Sequence, residues 1–134
     1  MLLGAIALWG VWGVAEKAAV ARAHVYTVQW LYALPYLVAL PIWYWLSTRA
    51  GGPALTARAA SYAIGGSVAS MVALLLLLLA LRDRSASVVV AATSAYPAVT
   101  LLIAVAIGQE ALSVVKLLGI GLVIGGVILL QVAK

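Results

Sequence analysis

Two adjacent ionisable residues, Glu16 and Lys17, stand inside the first apolar stretch of the chain. Charge in hydrocarbon is costly, and it persists where it faces a cavity, a partner or the headgroup layer. Glu16 is the only acidic residue well inside any apolar run. Trp9, Trp12 and Glu16 are spaced three and four apart, so a helix places them on one face, with Gly13 beside Trp12. A carboxylate beside two indoles can pair with a cation or take up a proton. Lys17 falls about 100° further round, with Gly10, Gly13 and Val14. The plainer alternative is that Glu16 and Lys17 lie near enough to the interface to reach headgroups.

A second group of polar features clusters around prolines. Pro35, Pro41 and Pro97 have no N–H, so the carbonyls of Leu31, Leu37 and Thr93 lose their helical donor. Such carbonyls can line a substrate cavity, or they can be satisfied by neighbouring hydroxyls. Thr93, Ser94 and Tyr96 beside Pro97 make that segment the more polar of the two. Gln29 lies among Tyr26, Trp30, Tyr32 and Tyr36, while Trp43, Tyr44 and Trp45 read as an interfacial aromatic belt. The candidate substrate-binding residues are thus Trp9, Trp12, Glu16, Lys17, Gln29, Trp30, Thr93, Ser94, Tyr96 and Pro97.

The elements that must position these residues follow from composition. Of 134 residues, 67% are hydrophobic and 8% charged, where a soluble domain carries about 25% charge. So few charges cannot cover a water-facing surface, and lipid must be the solvent over most of the chain. Only helices and closed barrels satisfy their backbones there, and the apolar runs are continuous rather than alternating. The expected fold is all-α, a bundle of five transmembrane helices over roughly 1–21, 25–46, 59–81, 85–107 and 112–133. Short connections make sequential helices antiparallel neighbours. The turn at Ala50-Gly51-Gly52-Pro53 is the clearest break.

Ala21-Arg22-Ala23 resembles a cleavage site. Yet no Lys or Arg precedes the first run, and Glu16 and Lys17 interrupt it, so a retained helix is expected there. Lys/Arg counts give little orientation bias. One side holds Arg49, Arg58 and Lys116; the other holds Arg22, Arg82, Arg84 and Lys134, with Lys17 if it snorkels out. The net charge of +5 is spread thinly, which reads as headgroup anchoring and not nucleic-acid binding. Without Cys, and with one His and three acidic residues, no metal site, cofactor, triad or acid/base pair assembles, and no enzyme is expected.

Small residues mark close helix approaches. The last run carries Gly119, Gly121, Gly125 and Gly126, and the third carries Gly65, Gly66, Ser67, Ala69 and Ser70. Either internal packing or a dimer seam would use them. The run Leu74–Leu79 reads as lipid-facing.

Several of these residues together resemble a known family. Trp9-Gly10 with Lys17 eight residues after Trp9, Ala80-Leu81, Ser85-Ala86-Ser87 and Pro97 occur in the order seen in EamA-like members of the drug/metabolite transporter superfamily. The match closes with Gly108-Gln109-Glu110-Ala111-Leu112-Ser113, Gly119 and Gly126-Val127. Two positions depart from the pattern. Gln109 separates Gly108 from Glu110, as in the related small multidrug resistance proteins, and Glu16 is not a usual family residue.

The resemblance implies one half of a ten-helix inverted-repeat fold, alternating access, and transport of small metabolites or drugs. A single EamA-like domain spanning 1–134 would need an inverted partner, expected to be a second copy in an antiparallel homodimer, or a paralogue. The expected partners are the lipid bilayer and a small-molecule substrate, in the plasma membrane of a prokaryote. The competing class is a non-transporting membrane module, such as an accessory subunit or a lipid-handling protein.

Overall fold

The computed structural model describes residues 2–52 and 54–132. Met1, Pro53 of the turn, Ala133 of the last run and Lys134 of the charge count lie outside the described residues. The chain is all-α. Its helices are α1 (Leu2–Val20), α2 (Val25–Arg49), α3 (Ala57–Asp83), α4 (Ala86–Thr93), α5 (Tyr96–Ala106) and α6 (Val114–Val132). Among the described residues, five helical stretches are long and apolar enough to cross a membrane, with α4 and α5 together forming the fourth.

Helix ends differ from the apolar runs for identifiable reasons. α2 continues to Arg49, and the hydroxyls of Ser47 and Thr48 are satisfied within it by donating to the carbonyls of Tyr44 and Trp45, at 2.7 and 2.8 Å. The Arg49 guanidinium then covers the Trp45 ring at 4.3 Å, where the aromatic belt was expected. α3 begins early because the Thr56 hydroxyl accepts from the Ala59 N–H at 3.2 Å, capping the first turn. At the start of α2, His24 Nδ1 accepts from the Tyr26 N–H.

The three predicted proline sites behave differently. α2 runs unbroken through Pro35 and Pro41. The run 85–107 is instead interrupted at Ser94 and Ala95, where the Ser94 N–H bonds the carbonyls of both Val90 and Ala91. Pro97 then sits in the first turn of α5, where a missing N–H leaves no helical acceptor unmet.

α5 ends on a left-handed glycine. Gly108 has φ of 72°; its N–H bonds the Val105 carbonyl at 3.1 Å, and the Gln109 N–H bonds the Ala104 carbonyl at 2.8 Å. This paired pattern satisfies the terminal carbonyls that hydrocarbon cannot. It also brings the Glu110 N–H to 3.2 Å from the Ala104 carbonyl, which fixes where that acidic residue starts. Gly108 is therefore glycine for its backbone conformation.

The chain forms two compact units. The first is Met1–Val14 with Asp83–Lys134, and its buried apolar residues are Val89, Leu101 and Ala104. Within it α4 packs on α6. A Cβ added at Gly13 would come within 3.0 Å of Val90 Cγ2, so Gly13 marks a close approach. The second unit is Ala15–Arg82, with Val20, Val25, Val28, Leu78 and Leu81 buried. Leu78 and Leu81 are fully buried, which corrects the reading of Leu74–Leu79 as a lipid-facing run. Leu76 does face outward, at 61% exposure. A pure leucine stretch gives no polar contrast, so its packed stripe cannot be told from its lipid stripe in sequence.

Five spans fix which loops share a membrane side. The chain has no Cys, so single substitutions report cleanly. Ala23→Cys and Ser85→Cys should react with an impermeant thiol reagent from one side, and Gly52→Cys and Gln109→Cys from the other, in any one orientation. Labelling of Ala23→Cys and Gly52→Cys from the same side in uniformly oriented vesicles would contradict the count.

Candidate functional site

The Ala15–Arg82 unit contains an open groove of about 640 Å³ between α1 and α2. Its polar lining is Glu16 and Arg22 from α1 and the turn after it, with Tyr32 and Tyr36 from α2. Glu16 and Tyr32 are half-buried. The two tyrosines stand one helical turn apart, with hydroxyls 3.4 Å from each other and ring centroids at 5.7 Å. Leu31 and Pro35 line the same groove, so the carbonyl that Pro35 deprives of its donor belongs to a lining residue. A carboxylate, a guanidinium and two phenols thus share one open groove with apolar side chains, a combination that can ion-pair and hydrogen-bond while covering apolar surface.

Lys17 does something else. Its ammonium donates to the Leu81 carbonyl at 2.5 Å and to the Arg82 carbonyl at 3.3 Å. These are among the last carbonyls of α3, which lack helical donors and carry the negative end of the helix dipole. Lys17 thus ties α1 to the end of α3 across the fully buried pair Leu78 and Leu81. Arg22 bonds the Ala18 carbonyl at 2.9 Å. Gln29 reaches from α2 to the Met71 carbonyl of α3 at 3.4 Å, and its buried Oε1 has no hydrogen-bond partner among the described residues. Trp30 is 56% exposed and does not line the groove.

In the other unit, Trp9 and Trp12 meet edge to face with centroids at 5.3 Å. Trp9 is 63% exposed, whereas Trp12 is half-buried with its Nε1 donor unmatched among the described residues. A buried indole N–H without an acceptor marks a place where an incoming acceptor would be favoured. Thr93 and Ser94 both donate to the Val90 carbonyl, at 2.8 and 3.0 Å. Tyr96 and Pro97 line a second groove, of about 500 Å³, with Thr100 and Gly119. A 2.6 Å ion pair between Lys116 and Glu110 closes one end of the polar lining.

The structure therefore sorts the sequence candidates. Glu16 joins the α1–α2 groove, Tyr96 and Pro97 join the second one, Lys17 and Gln29 are engaged on α3 carbonyls, and Thr93 and Ser94 on Val90. Arg22, Tyr32 and Tyr36 were not singled out by sequence reasoning as site residues. The Tyr32/Tyr36 spacing of four, on the same helix as Pro35, was the available signal. Among the described residues, no atom lies within 4 Å of a Cβ added at Gly119, Gly121, Gly125 or Gly126.

Comparison with known proteins adds one match. The sequence model of the EamA-like transporter family matches residues 1–132. Neither the curated proteins nor the solved structures give a match.

The geometry separates Lys17 from Glu16 experimentally. Lys17→Met should lower stability by about 1–3 kcal/mol, the usual worth of charge-assisted bonds to helix-end carbonyls. Lys17→Arg should recover part of it. Denaturant unfolding in detergent measures both, and a Lys17→Met protein as stable as the parent would remove the tie between α1 and α3.

Proposed function

This chain belongs to the EamA-like transporter family, and from that premise we propose that it carries a small organic solute through the groove beside Glu16. The observation that carries the proposal is the grouping of Glu16, Arg22, Tyr32 and Tyr36 in one open groove flanked by Pro35. An ionisable side chain inside a span marks a solute or ion pathway by default, because the membrane penalises it elsewhere. The paired phenols give the solute two hydroxyls and two ring faces, and Arg22 offers a positive end.

Alternating access needs two halves that rock about a central site. Five spans is an odd number, so a second unit joined in tandem would insert inverted, and a single unit takes its inverted partner from another chain. We assign that role to a second copy of this chain in the plasma membrane of a prokaryote. Two features support the assignment. The Lys/Arg bias is weak, and Gly121 and Gly125 offer an unobstructed small-residue face on α6.

A non-transporting module is the second reading. What favours it is that Lys17, Thr93 and Ser94, all expected in a cavity, donate to backbone carbonyls.

Transport assays on reconstituted vesicles distinguish the two. Glu16→Gln should reduce uptake of amines, amino acids and other small polar solutes at least tenfold for whichever the parent carries, and Tyr32→Phe should reduce it less. Both variants should keep parent helicity and expression. If both fold and transport at the parent rate, the groove beside Glu16 is not the path.

A further inference from the structure

We propose that the groove between α5 and α6 is a binding site for a phospholipid with a primary amine, phosphatidylethanolamine being the matching headgroup. This groove is separate from the one beside Glu16, and the proposal does not depend on the transport reading. Its lining changes character along its length. At one end stand Glu110 and Lys116, joined at 2.6 Å, with side chains 46% and 42% exposed. Glu110 lies in the α5–α6 connection and Lys116 in the first turn of α6, between the fourth and fifth stretches apolar enough to span. Further along, Gly119, Ile120, Val123 and Ile124 of α6 line it with Leu101 of α5, together with Tyr96 and with Thr100, whose hydroxyl donates to the Tyr96 carbonyl at 3.2 Å. From Lys116 to Ile124 is eight residues, so the mostly apolar floor runs about 12 Å along the helix axis. A charged mouth above a mostly apolar trench fits a headgroup with its acyl chain.

Charge selects the headgroup. The amine of phosphatidylethanolamine can donate to the Glu110 carboxylate while its phosphate accepts from the Lys116 ammonium. That exchange replaces the existing bond partner for partner and leaves neither charge uncompensated. Lys116 also donates to the Ala111 carbonyl at 3.2 Å, which holds the ammonium at the mouth when its acidic partner turns to the lipid. Phosphatidylcholine has no N–H to give Glu110. Phosphatidylglycerol has no cation and would leave Glu110 facing a second negative charge. Gly119 keeps the trench open just below the pair, with no atom within 4 Å of where its Cβ would be.

The test is lipid retention by the purified full chain, counted by native mass spectrometry after separate incubation with phosphatidylethanolamine, phosphatidylcholine and phosphatidylglycerol. One phosphatidylethanolamine per chain should bind at least fivefold more tightly than either other lipid. Glu110→Gln and Lys116→Gln should each abolish that preference with helicity unchanged. Gly119→Leu should lower retention of all three lipids. If Gly119→Leu fails to fold, the two charge variants still decide the matter. Equal retention of the three lipids by the parent, or an intact preference in both charge variants, overturns the proposal. So does a parent chain found to be dimeric whose dimer is lost in Gly119→Leu while lipid retention is kept, since a second copy would then be the occupant.

Discussion

Hydrocarbon offers no hydrogen bonds, so each peptide group within the membrane must find its partner inside the protein. Helix interiors meet this automatically; their ends and breaks do not, and that is where the polar side chains of this chain are used. Thr56 opens α3 with its hydroxyl, and Lys17 closes the same helix with its ammonium. Gly108 closes α5 with a left-handed turn that no other residue type adopts as readily. Thr93 and Ser94 reinforce the break before Pro97. Once these obligations are met, few polar groups are left over, and Glu16 stands out as the carboxylate lining the α1–α2 groove.

That division changes how the adjacent pair in α1 is read. Glu16 and Lys17 look equivalent in sequence, and the family resemblance favours Lys17. They differ by about 100° around the helix, which turns one toward α2 and its tyrosines and the other toward the end of α3. A similar rotation separates the glycines of α6. Gly119 faces the trench with Lys116, while Gly121 and Gly125 are turned roughly 120–160° away from it. One helix can thus border a lipid site on one side and offer a second copy the other.

Much of the fold was legible because lipid imposes a coarse code. Continuous apolar runs, short loops and the Gly51-Gly52 turn were enough for an all-α chain with five spans. What was not legible depended on contrast that lipid removes. Leu78 and Leu76 are the same residue type two positions apart, one fully buried and one 61% exposed. The prolines were equally mute, since Pro35 and Pro41 lie within a continuous helix while Pro97 begins a new one. For the site, residue types pointed to Glu16, but which polar groups are consumed by backbone carbonyls is a tertiary fact. Lys17 reaches a carbonyl 64 positions away, a pairing that no local pattern encodes.

The central claim is that transport arises from two inverted copies, each contributing a Glu16 groove. Orientation-locked variants test it most directly. Two or three added Arg in the α2–α3 loop should hold one orientation, and the same addition between α3 and α4 should hold the other. Each locked form should be inactive alone, and co-expression should restore transport. Full activity from a single locked form would contradict it.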